Sequence, residues 1–264
     1  MSNLTAFLIV RNEEQLLPRC LASLNHVVDA IVALDTGSGD RTRAILARFA
    51  ADPEMPPLHW ESHAFVDFGQ TRQAALDLVR TEWALWIDAD ECLTPALAHE
   101  LRCLRAGASW EDHDVYLIPL ENRVYGRLMR GRNLAGQLRP RLFRTRLGQI
   151  TAAAVHESTR LPTASRQGRL TAPLRHDTLT SWRRYLAKVD LYTRFEVLSG
   201  PRRHPLYLLG HLLVTGPATF WREYIWRKGF RDGWPGLVWA AATVWSSVLR
   251  DLKRLGWRRP GPGA

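Results

Sequence analysis

The sequence predicts an α/β fold: a mainly parallel sheet covered by helices on both faces, with a mainly helical C-terminal extension. Three observations predict it. In the first third, short apolar runs alternate with segments of helical periodicity, as in βαβ units. Polar clusters stand where those apolar runs end, the place where open parallel sheets bind ligands. Beyond Ser181 the pattern turns helical and aromatic, with seven of the eleven tryptophans at Trp182, Trp221, Trp226, Trp234, Trp239, Trp245 and Trp257.

Taken in order, Ala6 to Val10 reads as a buried first strand. Its apolar run stops at Arg11 and lacks a preceding basic region and a cleavage site, so it is not a signal peptide. Leu17, Leu21, Leu24 and Val28 recur at helical spacing, Ala30 to Leu34 is a second strand, and Ile45, Leu46 and Phe49 mark a second helix. Leu58 to Glu61 is a weaker strand, followed by a helix carrying Ala75, Leu76 and Val79 and by the strand Trp83 to Ile87. Thr94-Pro95 starts the next helix, because threonine caps free amides and proline at the first position loses no hydrogen bond. Val115 to Pro119 and Arg141 to Arg144 read as strands flanking an arginine-rich loop, Tyr125 to Gly136, expected on the acceptor side.

A length of 264 residues fits one enzyme domain with an appended segment. The expected division is a catalytic domain at 1–180, with a donor half at 1–120 and an acceptor half at 121–180, and an extension at 181–264. Cys20, Cys92 and Cys103 show no metal-site spacing and read as reduced core thiols in a cytoplasmic protein. Charge is uneven: residues 1–120 carry 9 Lys and Arg against 18 Asp and Glu, and residues 121–264 carry 27 against 8. The second half therefore meets something anionic, whether a phosphorylated substrate, a lipid surface or nucleic acid. Pro205 to Trp221 and Gly233 to Leu249 are each uncharged for 17 residues, short of the ~20 that span a bilayer. Tryptophans beside arginines, as in Trp221-Arg222 and Trp226-Arg227, suit lipid headgroups, and the extension is read as a platform on the anionic cytoplasmic face of the membrane. The alternative is a helical cap packed on the catalytic domain.

Four polar clusters follow strand ends or open the next helix: Arg11-Asn12-Glu13-Glu14, Asp35-Thr36-Gly37-Ser38-Gly39-Asp40, Phe68-Gly69-Gln70 with Arg72, and Asp88-Ala89-Asp90-Glu91. Two carboxylates one residue apart at a buried strand end offer hard oxygen ligands to Mg²⁺ or Mn²⁺, whose other positions a diphosphate and water can fill. Taken alone, Asp88-x-Asp90 reads first as a solvated turn with acidic caps, and the other three clusters reverse that. Asp35 can accept hydrogen bonds from a base or ribose hydroxyl, while Ser38 or Asp40 can serve as a helix cap. Glu13 and Glu14 also suit a helix first turn.

With these residues in place, the chain resembles the family 2 glycosyltransferases, and among them the bacterial lipopolysaccharide-core β-glucosyltransferases. The resemblance rests on Leu8 to Glu14, Asp35 to Thr42, Phe68-Gly69 with Arg72, and Trp86 to Glu91. It continues through Arg141 to Arg144, Val155-His156-Glu157 and Gly229 to Gly236. It implies a Rossmann-like GT-A fold binding a nucleotide sugar, UDP-glucose in that branch, with Arg11, Glu13, Asp35, Ser38 and Arg72 around the nucleotide. It further implies Asp88 near ribose and metal, Asp90 as the principal metal ligand, inversion at the anomeric carbon, and a saccharide or glycolipid acceptor. Gln73 departs from the family, which usually has Asn there. The attacking hydroxyl needs a base; Glu157 is the choice, ahead of Asp114 and Glu121, because it lies in a loop on the acceptor side. Arg141 and His156 are expected acceptor or diphosphate contacts, although His156 is as readily a structural histidine.

Two other readings compete. A haloacid-dehalogenase-like phosphotransferase would use Asp88 as nucleophile, but Cys92 stands where that motif wants Thr. A basic nucleic-acid- or membrane-binding module fits the pI of about 10.2 but leaves the acidic clusters unexplained, and no nucleic-acid partner is expected.

Overall fold

The computed structural model describes residues 3–131, 134–150, 159–160, 164–199 and 204–256. It resolves into two compact units, Met1–Glu121 with Gly136–His176, and Asn122–Ala135 with Asp177–Ala264. The boundary read at 180 thus falls at 176, and residues 122–135, read as acceptor half, belong to the second unit.

The first unit opens with β1 (Leu4–Val10), α1 (Leu17–Ser23), β2 (Ala30–Asp35), α2 (Thr42–Ala50), β3 (Leu58–Ser62), α3 (Phe68–Asp77) and β4 (Trp83–Trp86). β5 (Glu91–Leu93), α4 (Pro95–Ala106) and β6 (Val115–Val124) follow, and β6 pairs with the two-residue β7 (Arg127–Leu128). Then come β8 (Ala135–Arg144), β9 (Gln149–Ile150), β10 (Thr159–Arg160), β11 (Gln167–Arg169) and β12 (Leu174–Leu179).

β1 lies between β2 and β4, parallel to both, and β3 extends the sheet beyond β2. The chain therefore runs outward from β1 through β2 to β3 and returns on the other side as β4. That reversal opens a crevice at the carboxyl ends of β1 and its neighbours. β4 also pairs antiparallel with β8. Leu4, Phe7, Leu8, Trp83 and Phe143 are fully buried, as expected for strands covered on both faces. Each such side chain contributes about 2–3 kcal/mol of apolar burial.

Helix starts follow the local chemistry. Thr94 Oγ1 accepts from the Leu97 amide at 3.2 Å, and Pro95 occupies the first helical position, as the sequence indicates. Asp67 caps α3, accepting from the Gln70 amide at 2.7 Å.

The second unit contains α5 (Trp182–Ser199), α6 (Pro205–Phe220), a π-helical turn (Trp221–Trp226) and α7 (Trp234–Gly256). Val124, Met129, Leu134, Leu179 and Ala242 form its small core. Asp232 accepts from the amides of Arg130 and Gly131 at 2.7 and 2.9 Å, tying the arginine-rich loop to the Gly229–Asp232 turn. Gly236 is obligatory there, since a β-carbon would lie 1.9 Å from the Gly229 carbonyl oxygen. Among the described residues, no helix is long and apolar enough to cross a membrane.

Candidate active site

Parallel pairing sets the site. The register Val10↔Asp35 and Phe7↔Trp86 brings the ends of β1, β2 and β4 side by side. The loops that leave them are then laced together. Asn12, in a left-handed conformation with φ of 55°, donates its amide to Ser38 Oγ at 3.0 Å and accepts from the Gly39 amide at 2.8 Å. The Glu13 amide donates to Thr42 Oγ1 at 2.8 Å, and the Glu14 amide to Asp40 Oδ2 at 3.2 Å. Asp40 also accepts from the Thr42 amide at 3.0 Å, so it closes the turn into α2. Arg11 is exposed at the end of β1.

Asp35 is buried at the end of β2, where its carboxylate accepts from the Gly37 and Ser38 amides and from Arg43 Nε at 2.7 Å. Burial acts most strongly on it, raising its pKa, but the bonds from Ser38, Arg43 and Gly37 together outweigh that and hold it below the usual carboxylate value. Asp35 is thus a fixed anion in a preformed loop. Ser38 joins the two loops.

Around Asp88 a second network forms. Arg72 Nη2 donates to Asp88 Oδ1 at 2.7 Å, Arg141 Nη2 to Oδ2 at 3.1 Å, and the Trp86 indole N–H to Oδ1 at 3.2 Å. Arg141 also pairs with buried Glu91, whose Oε2 accepts from the Asp88 amide at 2.9 Å. Both guanidiniums lie over the Trp86 ring, 4.3 Å from its centroid for Arg72 and 4.7 Å for Arg141. Burial raises the Asp88 pKa most, but Arg72 and Arg141 override it and keep the carboxyl well below its ordinary range. At Glu91 burial, with the neighbouring Asp88 and Asp90, prevails over Arg141 and pushes the pKa up.

Asp90 is different. Its carboxylate lies 3.6 Å from His176 Nε2, a neighbour created when β12 pairs antiparallel with β5 in the register His176↔Glu91. Sequence reasoning missed His176 because neither short strand has an apolar run to betray it. As a donor set, Asp90 and His176 fit a divalent ion whose remaining positions come from substrate and water. Asp88 fits less well, with both oxygens held by arginines. Among the described residues no group of three or more His, Cys, Asp and Glu side chains gathers around one point.

Arg141, expected to touch acceptor or diphosphate, is buried and directed at Asp88 and Glu91. Arg72, expected at the nucleotide, is buried on Asp88. Gln73 holds Asp77 and the Ile150 amide, both at distances of 2.7–2.8 Å, and so anchors α3 to β9. Asp114 immediately precedes β6 and pairs with Arg166 and Arg144; the bonds from Arg166 lower its pKa and make it a poor base. Glu121 lies within β6. His156 and Glu157 lie outside the described residues.

Such a crevice, with polar, mostly acidic loops at the ends of β1, β2 and β4, is that of open α/β sheets that bind ligands at the point where strand order reverses. The chain belongs to glycosyl transferase family 2, whose model matches residues 5–156. It is 29% identical over 253 residues to the lipopolysaccharide core biosynthesis glycosyltransferase LpsC of Rhizobium meliloti, covering 91% of this chain and 90% of LpsC. It is 40% identical over 102 residues to a TPR repeat-containing protein of Synechococcus elongatus, and spans only 24% of that relative's length. The fold is similar to that of the mannosyltransferase PcManGT from Pyrobaculum calidifontis, solved with GDP-Man and Mn²⁺. The TM-score is 0.53 at 13% identity, over 98% of this chain and 88% of that one. The architecture is the Rossmann-like GT-A fold with a helical C-terminal region. Family membership removes the phosphotransferase reading, and pairing of both Asp88 oxygens with arginines leaves that residue ill-suited as a nucleophile.

Proposed function

We propose that the chain transfers a sugar from a nucleotide-sugar donor to a saccharide or glycolipid acceptor, with inversion, in synthesis of lipopolysaccharide core or a related surface glycan. The observation that carries this is the crevice in which Asp35 ends β2 and Asp88 and Asp90 follow β4, on either side of β1. Asp35 and the amide-rich Gly37–Gly39 turn receive the nucleoside, with Arg11, Glu13 and Ser38 at its rim. Asp90 holds Mg²⁺ or Mn²⁺, with His176 as its neighbour. Such an ion supplies Lewis-acid stabilisation of the leaving diphosphate. Arg72 and Arg141 hold Asp88 ionised and oriented beside it. LpsC supports the pathway, and PcManGT, with its nucleotide sugar and Mn²⁺, supports the donor class and the ion. UDP-glucose is the first donor to test. The proposal includes attachment of the helical region to the anionic cytoplasmic face of the membrane.

A thermal-shift screen of nucleotide sugars tests the donor site. One of them should raise the melting temperature only when Mn²⁺ or Mg²⁺ is present, because a ligand bound to the folded state stabilises it. No shift with any nucleotide sugar, with or without metal, would count against the proposal.

The base remains Glu157. Glu157→Gln is expected to keep donor affinity and lower turnover by ~10²-fold or more. If Glu157→Gln turns over normally while Asp114→Asn does not, the base is Asp114.

A further inference from the structure

α6 with its π-helical continuation, and α7, carry large apolar side chains outward and mostly small or polar residues inward. Along α6 and its π-helical continuation the exposed residues come in pairs every four positions: Leu213 and Val214, Pro217 and Ala218, Trp221 and Arg222, Ile225 and Trp226. Seven of these eight are apolar, and Leu213 and Trp226 are 79% and 73% exposed. On the opposite side Thr215, Thr219 and Glu223 are buried. α7 repeats the pattern, with Trp234, Leu237, Ala241, Trp245 and Leu252 outward, and the small or polar Pro235, Gly236, Ala240, Ala242, Ser247 and Asp251 buried. Several inward polar groups pair with one another. His211 Nδ1 lies 2.8 Å from Asp251 Oδ2, and Glu223 Oε1 accepts from Arg222 Nε and Arg227 Nη1 at 3.0 and 2.9 Å.

A helix surrounded by water places its apolar stripe inward. Two helices that keep their largest apolar side chains outward instead suit apolar outer surroundings. We infer that the outward faces of α6, its π-helical turn and α7 are immersed in the headgroup and upper acyl region of an anionic lipid layer. This deepens the surface attachment proposed above by assigning it a face. Charge selects the occupant: the second unit carries 19 Lys and Arg against 6 Asp and Glu, so a second copy would meet like charge whereas anionic lipid would be attracted. Arg222 stands within the apolar stripe, and Arg231 is exposed beside Phe230, as cations do at headgroup depth. Length selects the orientation. Leu213 to Trp226 is roughly 20 Å of helix at about 1.5 Å per residue, too short for a hydrocarbon core of ~30 Å, so the helix lies along the layer.

Flotation with vesicles tests this, comparing wild type with Leu213→Ser/Trp221→Ser/Trp226→Ser on phosphatidylcholine alone and with about 30% phosphatidylglycerol. Wild type should float with the anionic vesicles, and the triple variant should partition about 30-fold less while keeping its circular dichroism and melting curve. If the triple variant misfolds, Leu213→Ser and Trp226→Ser are read singly, since both positions are mostly exposed. Wild type floating with neither vesicle overturns attachment altogether. Equal flotation of wild type and variant overturns this face and leaves attachment through arginines standing. A wild-type dimer that the substitutions dissociate, without flotation, assigns the face to a second copy. None of these readings depends on sugar transfer, so the transferase proposal stands or falls separately.

Discussion

Asp90→Asn is expected to abolish transfer, lowering turnover by about 10³-fold or more, while the protein still folds. Both Asp88 oxygens accept from arginines, and the Asp90 carboxylate lies 3.6 Å from His176 Nε2. The amide of Asn keeps the shape but carries no charge to hold a divalent cation. Losing several kcal/mol of stabilisation of the leaving diphosphate corresponds to that factor in rate. Circular dichroism and a melting curve separate this outcome from unfolding: a variant that melts far below wild type would make Asp90 a structural carboxylate. His176→Gln should raise the metal concentration needed for half-maximal turnover by about 10-fold or more, with a smaller effect on turnover at saturating metal. Undiminished transfer in excess EDTA would end the metal reading.

Which parts of this site are legible in the sequence follows from how each is encoded. β1, β2 and β4 are continuous apolar runs, and the loops after them are marked by charge and glycine, so their convergence could be read directly. The pairing of those charges could not. The resemblance implies ligand contacts for Arg72 and Arg141, yet both turn inward to Asp88 across the Trp86 ring. Nothing in a one-dimensional pattern distinguishes an arginine aimed at substrate from one aimed at a carboxylate 53 positions earlier. β5 and β12 escaped for another reason: Glu91-Cys92-Leu93 and Leu174 to Leu179 are too short and too polar to show an alternating run, and their pairing is what brings His176 to Asp90. Uncharged stretches and clustered tryptophans in the C-terminal region were visible as composition. Their outward orientation needed the helix faces.

Arg141→Met should destabilise the protein by about 3–5 kcal/mol at neutral pH, because it strands Glu91 and half of the Asp88 pairing in a buried setting. Met keeps much of the aliphatic volume over Trp86, so the loss should come mainly from charge. pH then separates the two contributions. Arg141 lowers the pKa of both carboxyls in the folded protein, and without it both rise. A carboxyl with a higher folded-state pKa takes up its proton sooner as pH falls, and a protonated Glu91 or Asp88 no longer needs the guanidinium. The gap between variant and wild type should therefore be widest well above 4.5 and begin to narrow above that value, because the Glu91 pKa is raised in the wild type and further raised in the variant. It should go on narrowing at lower pH as Asp88 protonates. Urea unfolding at neutral pH and near the carboxylate range measures it. A gap of constant size across that interval would show that Arg141 acts through packing on Trp86 instead. Adding Glu91→Gln to Arg141→Met should recover part of the lost stability, since the stranded buried charge is then gone.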